Sequence, residues 1–214
     1  MDKLFSLYFR VRKKYWLSTF VIWMRYLIAF AFVPSGLTKL LGERFTVLPI
    51  SNPVGLFFEA MYQTGLYWRF LGLMQLLTAF LLMTQRFATI GNLLFLSISI
   101  NIFLITYSMH FEGTVYITFL LVIASIGLFL WDLPKWVPLM AKDNFEHNST
   151  ISNLPTYQPI HVTAGVIFFL ESILFGWLPK LLNMKTITVM LIMVAIIFLT
   201  AIIVFVFSLR KKRG

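Results

Sequence analysis

Long apolar segments separated by short polar ones run through most of the chain. Six of them are long enough to cross a bilayer as a helix, which takes about 20 residues. They lie at 17–37, 66–84, 87–107, 114–131, 161–178 and 187–209. This pattern predicts an all-α, polytopic membrane protein with six spans.

Two shorter segments are predicted at the membrane surface. Residues 1–16 interleave basic and apolar side chains, which predicts either a basic interfacial helix or an unstructured basic lead-in. Asn52 and Pro53 are a helix-start signal within 42–65, with Asn as the cap and Pro at the first position. Tyr62, Tyr67 and Trp68 favour an interfacial helix here over a re-entrant one.

Composition supports the membrane class and excludes several others. The chain is 59% hydrophobic and 12% charged, which is too apolar for a soluble domain. A net charge of +10 does not indicate nucleic-acid binding, because the cations cluster at the ends of the apolar segments. The sequence contains no Cys, so disulfide exchange and thiolate metal sites are excluded.

Charge around the predicted spans indicates their orientation. With six spans, twelve cations fall on the side of the two termini, and they are Lys3, Arg10, Arg12, Lys13, Lys14, Arg86, Lys135, Lys142, Arg210, Lys211, Lys212 and Arg213. Five fall on the opposite side, and they are Lys39, Arg44, Arg69, Lys180 and Lys185. Cytoplasmic loops are enriched in Lys and Arg, so both termini are predicted in the cytoplasm of a multi-pass cell (inner) membrane protein.

The first span carries two cations. Arg25 and Lys39 are fourteen residues apart, which places them within about 40° of one helix face and ~21 Å apart along it. Arg25 lies near mid-bilayer if the span begins at 17, or reaches the cytoplasmic headgroups if the span begins later. Pro34 predicts a kink or an end to this helix, because it lacks an amide donor.

Polar residues within the later spans are candidates for contacts between helices. Gln75 falls on a stripe of small and polar residues that should face other helices. Asn101 shares a face with Ser97 and Ser108, and polar residues in lipid usually bond neighbouring helices. Both positions are therefore predicted as intramembrane polar sites.

Glu171 is the one acid well within an apolar span. An isolated carboxylate there costs about 2.5–3.5 kcal/mol on insertion scales, so it must be protonated, paired or facing water. Arg25 is the preferred partner and Arg69 the second candidate. The alternative is a protonated Glu171 that makes one interhelical hydrogen bond.

Ionisable residues also collect at the predicted outer mouth of the first four spans. They are Lys39, Glu59, Arg69, His110 and Glu112. Together they could bind an anionic headgroup, a quinone carbonyl or a partner loop, or they could serve as interfacial anchors that pair with one another. A metal at His110 and Glu112 is not expected, since no other imidazole or thiolate lies on that side.

Two short motifs lie within the first four predicted spans. Arg25 is followed by an apolar run into Gly36-Leu-Thr-Lys39-Leu, and the next span contains Gly72-Leu-Met-Gln75. With these motifs, residues 20–131 resemble the first two helices and the four-helix unit of the DoxX family of integral membrane proteins, with Gln75 where the family usually has a carboxylate. The resemblance implies a DoxX-like four-helix transmembrane bundle, with a C-terminal two-helix hairpin lying outside that unit.

The domain organisation follows from these segments. It comprises a basic N-terminal segment at 1–16, a DoxX-like membrane unit at 17–131, a polar cytoplasmic linker at 132–160 and a C-terminal transmembrane hairpin at 161–214. The linker carries several Pro residues, so the hairpin should be separable from the membrane unit.

The resemblance allows more than one function. It implies a non-catalytic accessory or scaffold subunit that binds a lipid, a quinone or a membrane partner. The alternatives are a membrane subunit of a quinone-linked oxidoreductase of the thiosulfate:quinone type and, less favoured, a small transporter. Whether the chain is an enzyme stays open, with no catalytic residue assigned. A quinone is the one cofactor considered, and a membrane redox complex the one protein partner.

Overall fold

The structure, a computed structural model, describes residues 8, 10, 12, 14–140, 159–182, 195, 196, 199, 200, 202–204 and 206. Within this part the chain is helical and has no strand. The helices are α1 (Tyr15–Leu40), α2 (Pro53–Gln63), α3 (Leu66–Met83), α4 (Ala88–Ser108), α5 (Thr114–Trp131), α6 (Leu133–Met140) and α7 (Pro159–Leu182).

Five of these helices are long and apolar enough to cross a membrane, namely α1, α3, α4, α5 and α7. Most of their outward side chains are apolar, and Leu27, Ile117 and Leu120 are each at least 60% exposed. The prediction of an all-helical, multi-pass membrane protein is confirmed. The sixth predicted span, 187–209, lies mostly outside the described residues and stays a prediction.

Helices α1 and α3 pack antiparallel along most of their length. Gly36 and Gly72 let the two backbones approach, because a Cβ added at Gly72 would lie 2.5 Å from the Gly36 carbonyl oxygen. We call the end of the bundle where α1 begins the proximal end, and the end where α1 finishes the distal end. Pro34 does not end α1, which continues for six residues beyond it.

Helices α4 and α5 form an antiparallel hairpin held by buried polar contacts. Asn92 Nδ2 donates to the Ser125 carbonyl at 3.0 Å, and Ser125 Oγ donates to Asn92 Oδ1 at 2.8 Å. Asn101 was expected to face another helix, but it is exposed and donates to the Ser97 carbonyl of its own helix at 2.8 Å. Ser97 and Asn101 therefore turn away from the described neighbours, since the opposite face of α4 carries the packing contacts.

Helix α7 packs against both α1 and α3. Ala164 and Phe168 are buried in the main core, and Tyr26 Oη donates to the His161 carbonyl at 2.5 Å. The expectation that the chain after the linker lies outside the bundle is therefore wrong for α7, because a small and aromatic stripe on it completes the core. The division of the chain at 132–160 stays a prediction.

The connection between α1 and α3 covers the distal end. Asn52 caps α2 as predicted, since its Oδ1 accepts from the Val54 amide at 2.9 Å. The preceding stretch 44–50 is irregular and apolar, and it folds back over the first turn of α2. Trp68 fastens this connection to α3, because its indole donates to the Glu43 carbonyl at 2.9 Å.

Candidate functional site

A buried ion pair links the first helix to the proximal end of the bundle. Arg25 Nη2 donates to Asp132 Oδ2 at 2.8 Å, and both side chains are at most 4% exposed. Arg25 Nη1 donates to Gln85 Oε1 at 3.0 Å. Gln85 lies in the turn after α3 with φ 60°, and Asp132 directly follows α5, so one guanidinium joins three parts of the fold.

Asp132 is shared between two cations. Lys135 Nζ lies 2.8 Å from Asp132 Oδ1. Thr89 Oγ1 donates to Asp132 Oδ2, the oxygen that also accepts from Arg25, at 3.2 Å. Burial alone would raise the pKa of Asp132, but the charges of Arg25 and Lys135 outweigh it and hold that pKa below its usual range. The carboxylate is therefore ionised at neutral pH.

The basic N-terminal segment reaches this cluster through Tyr8 and Arg12. Tyr8 Oη lies 3.0 and 2.8 Å from the Leu130 and Trp131 carbonyls at the end of α5. The Arg12 guanidinium lies over the Trp131 ring at 5.1 Å, and its side chain is 4% exposed. These contacts dock part of the segment on the proximal end.

This arrangement corrects one hypothesis about Arg25, the identity of its acid partner, and leaves its depth in the bilayer a prediction. Arg25 lies about 15 Å along α1 from Tyr15, level with the turn after α3. Its acid partner is Asp132, not Glu171. Glu171 instead accepts a hydrogen bond from Thr200 Oγ1 at 2.7 Å, so the interhelical hydrogen bond is the alternative that the structure supports.

The distal cation, Lys39, is buried in a different environment. Its ammonium donates to the Ser35 carbonyl at 3.2 Å, to Ser35 Oγ at 2.5 Å and to Gln75 Oε1 at 3.1 Å. The Phe45 ring centroid lies 4.4 Å from Nζ and that of Trp68 lies 5.3 Å away. Among the residues that the structure describes, no carboxylate comes within ion-pairing distance of Lys39.

A groove opens beside this site, between the stretch 44–50 and α2. Its volume is about 500 Å³. Its lining residues are Arg44, Phe45, Thr46, Val47, Leu48, Pro49, Ile50, Gly55, Phe58 and Glu59. We call this cavity the distal groove.

The distal groove carries one charged pair. Arg44 donates to both Glu59 oxygens, at 2.8 and 3.0 Å, and Gln63 donates to Glu59 at 2.7 Å. The hydrogen bond from Arg44, followed by that from Gln63, lowers the pKa of Glu59 to about 2. Arg44 is largely exposed and also lies over the Tyr62 ring at 4.7 Å. The groove therefore has one fixed positive and one fixed negative group.

The predicted outer mouth does not form one cluster. Lys39 is buried beneath the surface, and Glu59 pairs with Arg44. Arg69 is exposed and its guanidinium approaches Gly42, whereas His110 and Glu112 are exposed in the turn between α4 and α5. The described residues include no group of three His, Asp or Glu that could hold a metal ion.

Several residues that surround Asp132 or line the distal groove were not identified from the sequence. They are Arg12, Arg44, Gln85, Thr89, Asp132 and Lys135. One signal could have found Asp132, because it is the sole acid at the ends of the first four predicted spans on the side predicted as cytoplasmic. Gln75 was assigned correctly to a helix-facing position, and its contact with Lys39 could not be read from the spacing.

Comparisons with protein-family models, with curated proteins and with solved structures find no match to this chain. The two sites are therefore interpreted from their own chemistry.

Proposed function

We propose that this chain is a non-catalytic integral membrane protein of the DoxX type that binds a zwitterionic lipid headgroup in the distal groove. The proposal places the distal end at the outer leaflet, in line with the distribution of cations along the sequence. One observation carries it: a groove with apolar walls holds a single matched pair of opposite charges.

Size and shape suit a headgroup with the upper part of its chains. Ligand pockets span about 300–1,000 Å³, and the distal groove has about 500 Å³. Its apolar wall continues onto an exposed surface, since Val47 is 102% and Ile50 67% exposed. A lipid could therefore lay its chains along Val47 and Ile50 while its headgroup enters the groove.

The charges suit a zwitterion. Arg44 can donate to a phosphate through its planar guanidinium, and Glu59 can accept from an ammonium group. The two side chains neutralise each other in the free protein, so an anionic or cationic ligand would leave one of them unmatched. An exposed ion pair is weak because solvent screens its charges, so a ligand can open it at small cost.

The same chemistry argues against catalysis in the groove. A general acid or base works best with a pKa near the operating pH, and the pKa of Glu59 is about 2. Glu59 thus stays ionised and acts as a hydrogen-bond acceptor. A quinone is the competing ligand, because its carbonyl could accept from Arg44 without needing Glu59.

Native mass spectrometry of the purified protein tests this function. The protein is released from detergent after incubation with dioctanoyl phosphatidylethanolamine, dioctanoyl phosphatidylglycerol or a short-chain ubiquinone. We expect retained phosphatidylethanolamine, reduced at least fivefold by Arg44→Gln, by Glu59→Gln and by Leu48→Trp, which fills the groove. The matched controls are Arg69→Gln and Leu56→Trp, which change an exposed cation and an exposed apolar residue outside the lining.

The variants separate the ligands. Retention of ubiquinone that depends on Arg44 but not on Glu59 would show that the groove binds a quinone rather than a lipid. Equal retention of phosphatidylethanolamine by Leu48→Trp and by Leu56→Trp would refute binding in the distal groove.

A further inference from the structure

Four charged residues gather at the proximal end, and we call them the proximal cluster. Arg25 and Lys135 pair with Asp132, and Arg12 lies over the ring of the neighbouring Trp131. Asp132 is the one acid that the structure describes there. Burial is the main cause that lowers the pKa of Lys135, and the charges of Arg25 and Arg12 lower it further against the opposing effect of Asp132. Three cations against one acid leave a surplus of two positive charges within this part of the chain.

Two of the cations have unsatisfied donors. The Nε atoms of Arg12 and Arg25 are buried and have no hydrogen-bond partner among the residues that the structure describes. Both side chains are less than 5% exposed, so water reaches them poorly. A buried donor without a partner is destabilising, and more so when the group is charged, so an oxyanion would be stabilised here.

The cluster has an opening at Lys135. Its side chain is 36% exposed, and its ammonium bridges Asp132 and Thr89 Oγ1, the latter at 3.2 Å. Arg10 and Lys14 are exposed on the neighbouring basic segment. An anion approaching from the membrane surface would therefore meet exposed cations first and buried ones next.

Position in the bilayer favours a lipid over a free ion. The cluster lies at the ends of α3 and α5, which is the level where a spanning helix meets the headgroups. The Trp131 ring beneath Arg12 marks the same level, because Trp is enriched at membrane interfaces. The cytoplasmic leaflet, where the cation distribution places this end, is rich in anionic lipids.

We propose that the proximal cluster binds the phosphate group of an anionic phospholipid, with Arg12 and Lys135 as its main donors. Arg25 contributes through its charge while it remains paired with Asp132. This site is independent of the distal groove and differs from it in ligand, since a surplus of positive charge selects an anionic headgroup and a neutral pair selects a zwitterionic one.

Thermal unfolding in a neutral detergent tests the site. The melting temperature is followed while dioctanoyl phosphatidylglycerol, dioctanoyl phosphatidylcholine or inorganic phosphate is added. We expect phosphatidylglycerol to raise it in a saturable and salt-sensitive way, with no comparable effect of phosphatidylcholine. Arg12→Gln and Lys135→Gln should each weaken the apparent affinity at least tenfold, whereas Arg10→Gln, an exposed cation of the same segment, should not.

Each variant is compared with its own ligand-free melting temperature, and Lys135→Arg, which keeps the charge, should retain the response. If inorganic phosphate alone stabilises as strongly as phosphatidylglycerol, the phosphate site stands and the lipid as its source is refuted. An equal response to phosphatidylcholine, or an unchanged response in both Gln variants, would overturn the site itself.

Discussion

The two buried cations of α1, one near each end of the bundle, are stabilised by different kinds of contact. Arg25 and Lys39 lie on one helix, fourteen residues apart, and both are buried, at 3% and 7% exposure. Arg25 is neutralised by Asp132 from another part of the bundle. Lys39 is surrounded by uncharged acceptors and aromatic rings instead.

The difference follows from the chemistry of the two side chains. Arg stays charged in proteins and offers five donors in a fixed fork, so burying it calls for a planar anion. Lys offers three donors on a flexible stem, and Ser35 with Gln75 can accept all three. The proximal end is therefore held by charge, and the distal end by hydrogen bonds and cation–π contacts.

The largest expected effect comes from breaking the proximal ion pair. Asp132→Asn leaves Arg25 and Lys135 without their acid, and removing one partner of a buried pair costs about 3–5 kcal/mol. We expect the variant to lose most of its folded yield and to unfold at lower temperature in detergent. Arg25→Gln should have a similar effect, and the double variant should lose less than the sum. Strict additivity would contradict the pair.

The next largest effect on stability is expected from disturbing the packing of α7 on α3. A Cβ at Gly165 would overlap the Met83 carbonyl, so Gly165→Ala should force α7 away from α3 at a cost of about 1–3 kcal/mol. Gly127→Ala is the matched control, because a Cβ there meets nothing within 4 Å. Thermal unfolding of both variants measures the difference. Equal melting temperatures would contradict this packing and would mean that the C-terminal part is separable, with α7 not required for the core.

Acidification should destabilise the proximal end. The pKa of Asp132 is below its usual range, so its contribution is fully present above about pH 4 and is lost as the pH falls through the folded value. The loss should be smaller than in Asp132→Asn, because it develops only as the carboxyl becomes protonated. The measurement is the melting temperature between pH 3 and 7, and Asp132→Asn should flatten the profile. If that substitution leaves the pH profile unchanged, a group other than Asp132 causes the loss of stability in acid.

Removing the distal cation should be mild. Lys39→Met loses three hydrogen bonds but also removes a buried cation that has no acid within ion-pairing distance in the described part. We expect a net change of about 1 kcal/mol or less, because these terms oppose each other. Chemical unfolding of this variant and of Arg25→Gln gives the comparison. A loss as large as that of Arg25→Gln would mean that Lys39 also has an anionic partner.

The smallest effect is expected at Glu171. Glu171→Gln keeps an acceptor for Thr200, so stability should change by about 0.6 kcal/mol or less, the average contribution of one interhelical hydrogen bond in a membrane. Combined with Arg25→Gln, it should be additive, because Arg25 pairs with Asp132 and not with Glu171. Measured coupling between the two substitutions would instead support a Glu171–Arg25 contact.

Much of the fold could be predicted because lipid imposes a simple rule on the sequence. Apolar length identifies spanning helices, and all five that the structure describes begin and end within a few residues of the predicted bounds. The cap at Asn52 was equally predictable, since a cap depends only on neighbouring residues. Residues at candidate sites were harder to find, because each site combines side chains from several helices.

Asn101 and Asn92 show where helix periodicity was insufficient. Both are polar residues within α4, but Asn101 is exposed and Asn92 is buried against Ser125. In lipid the outward and inward faces are similarly apolar, so the pattern does not tell which side packs. Only the position of α5 decides it.

The sequence by itself determined that this protein crosses a membrane through helices, and it singled out Arg25 and Lys39 as the cations that need polar surroundings. Tertiary structure alone decided what those surroundings are. Asp132 is 107 positions from Arg25 in the chain and Gln75 is 36 from Lys39, so no local pattern connects them. Their pairing depends on the depth and rotation of whole helices, which are set by close packing at Gly36, Gly72 and Gly165.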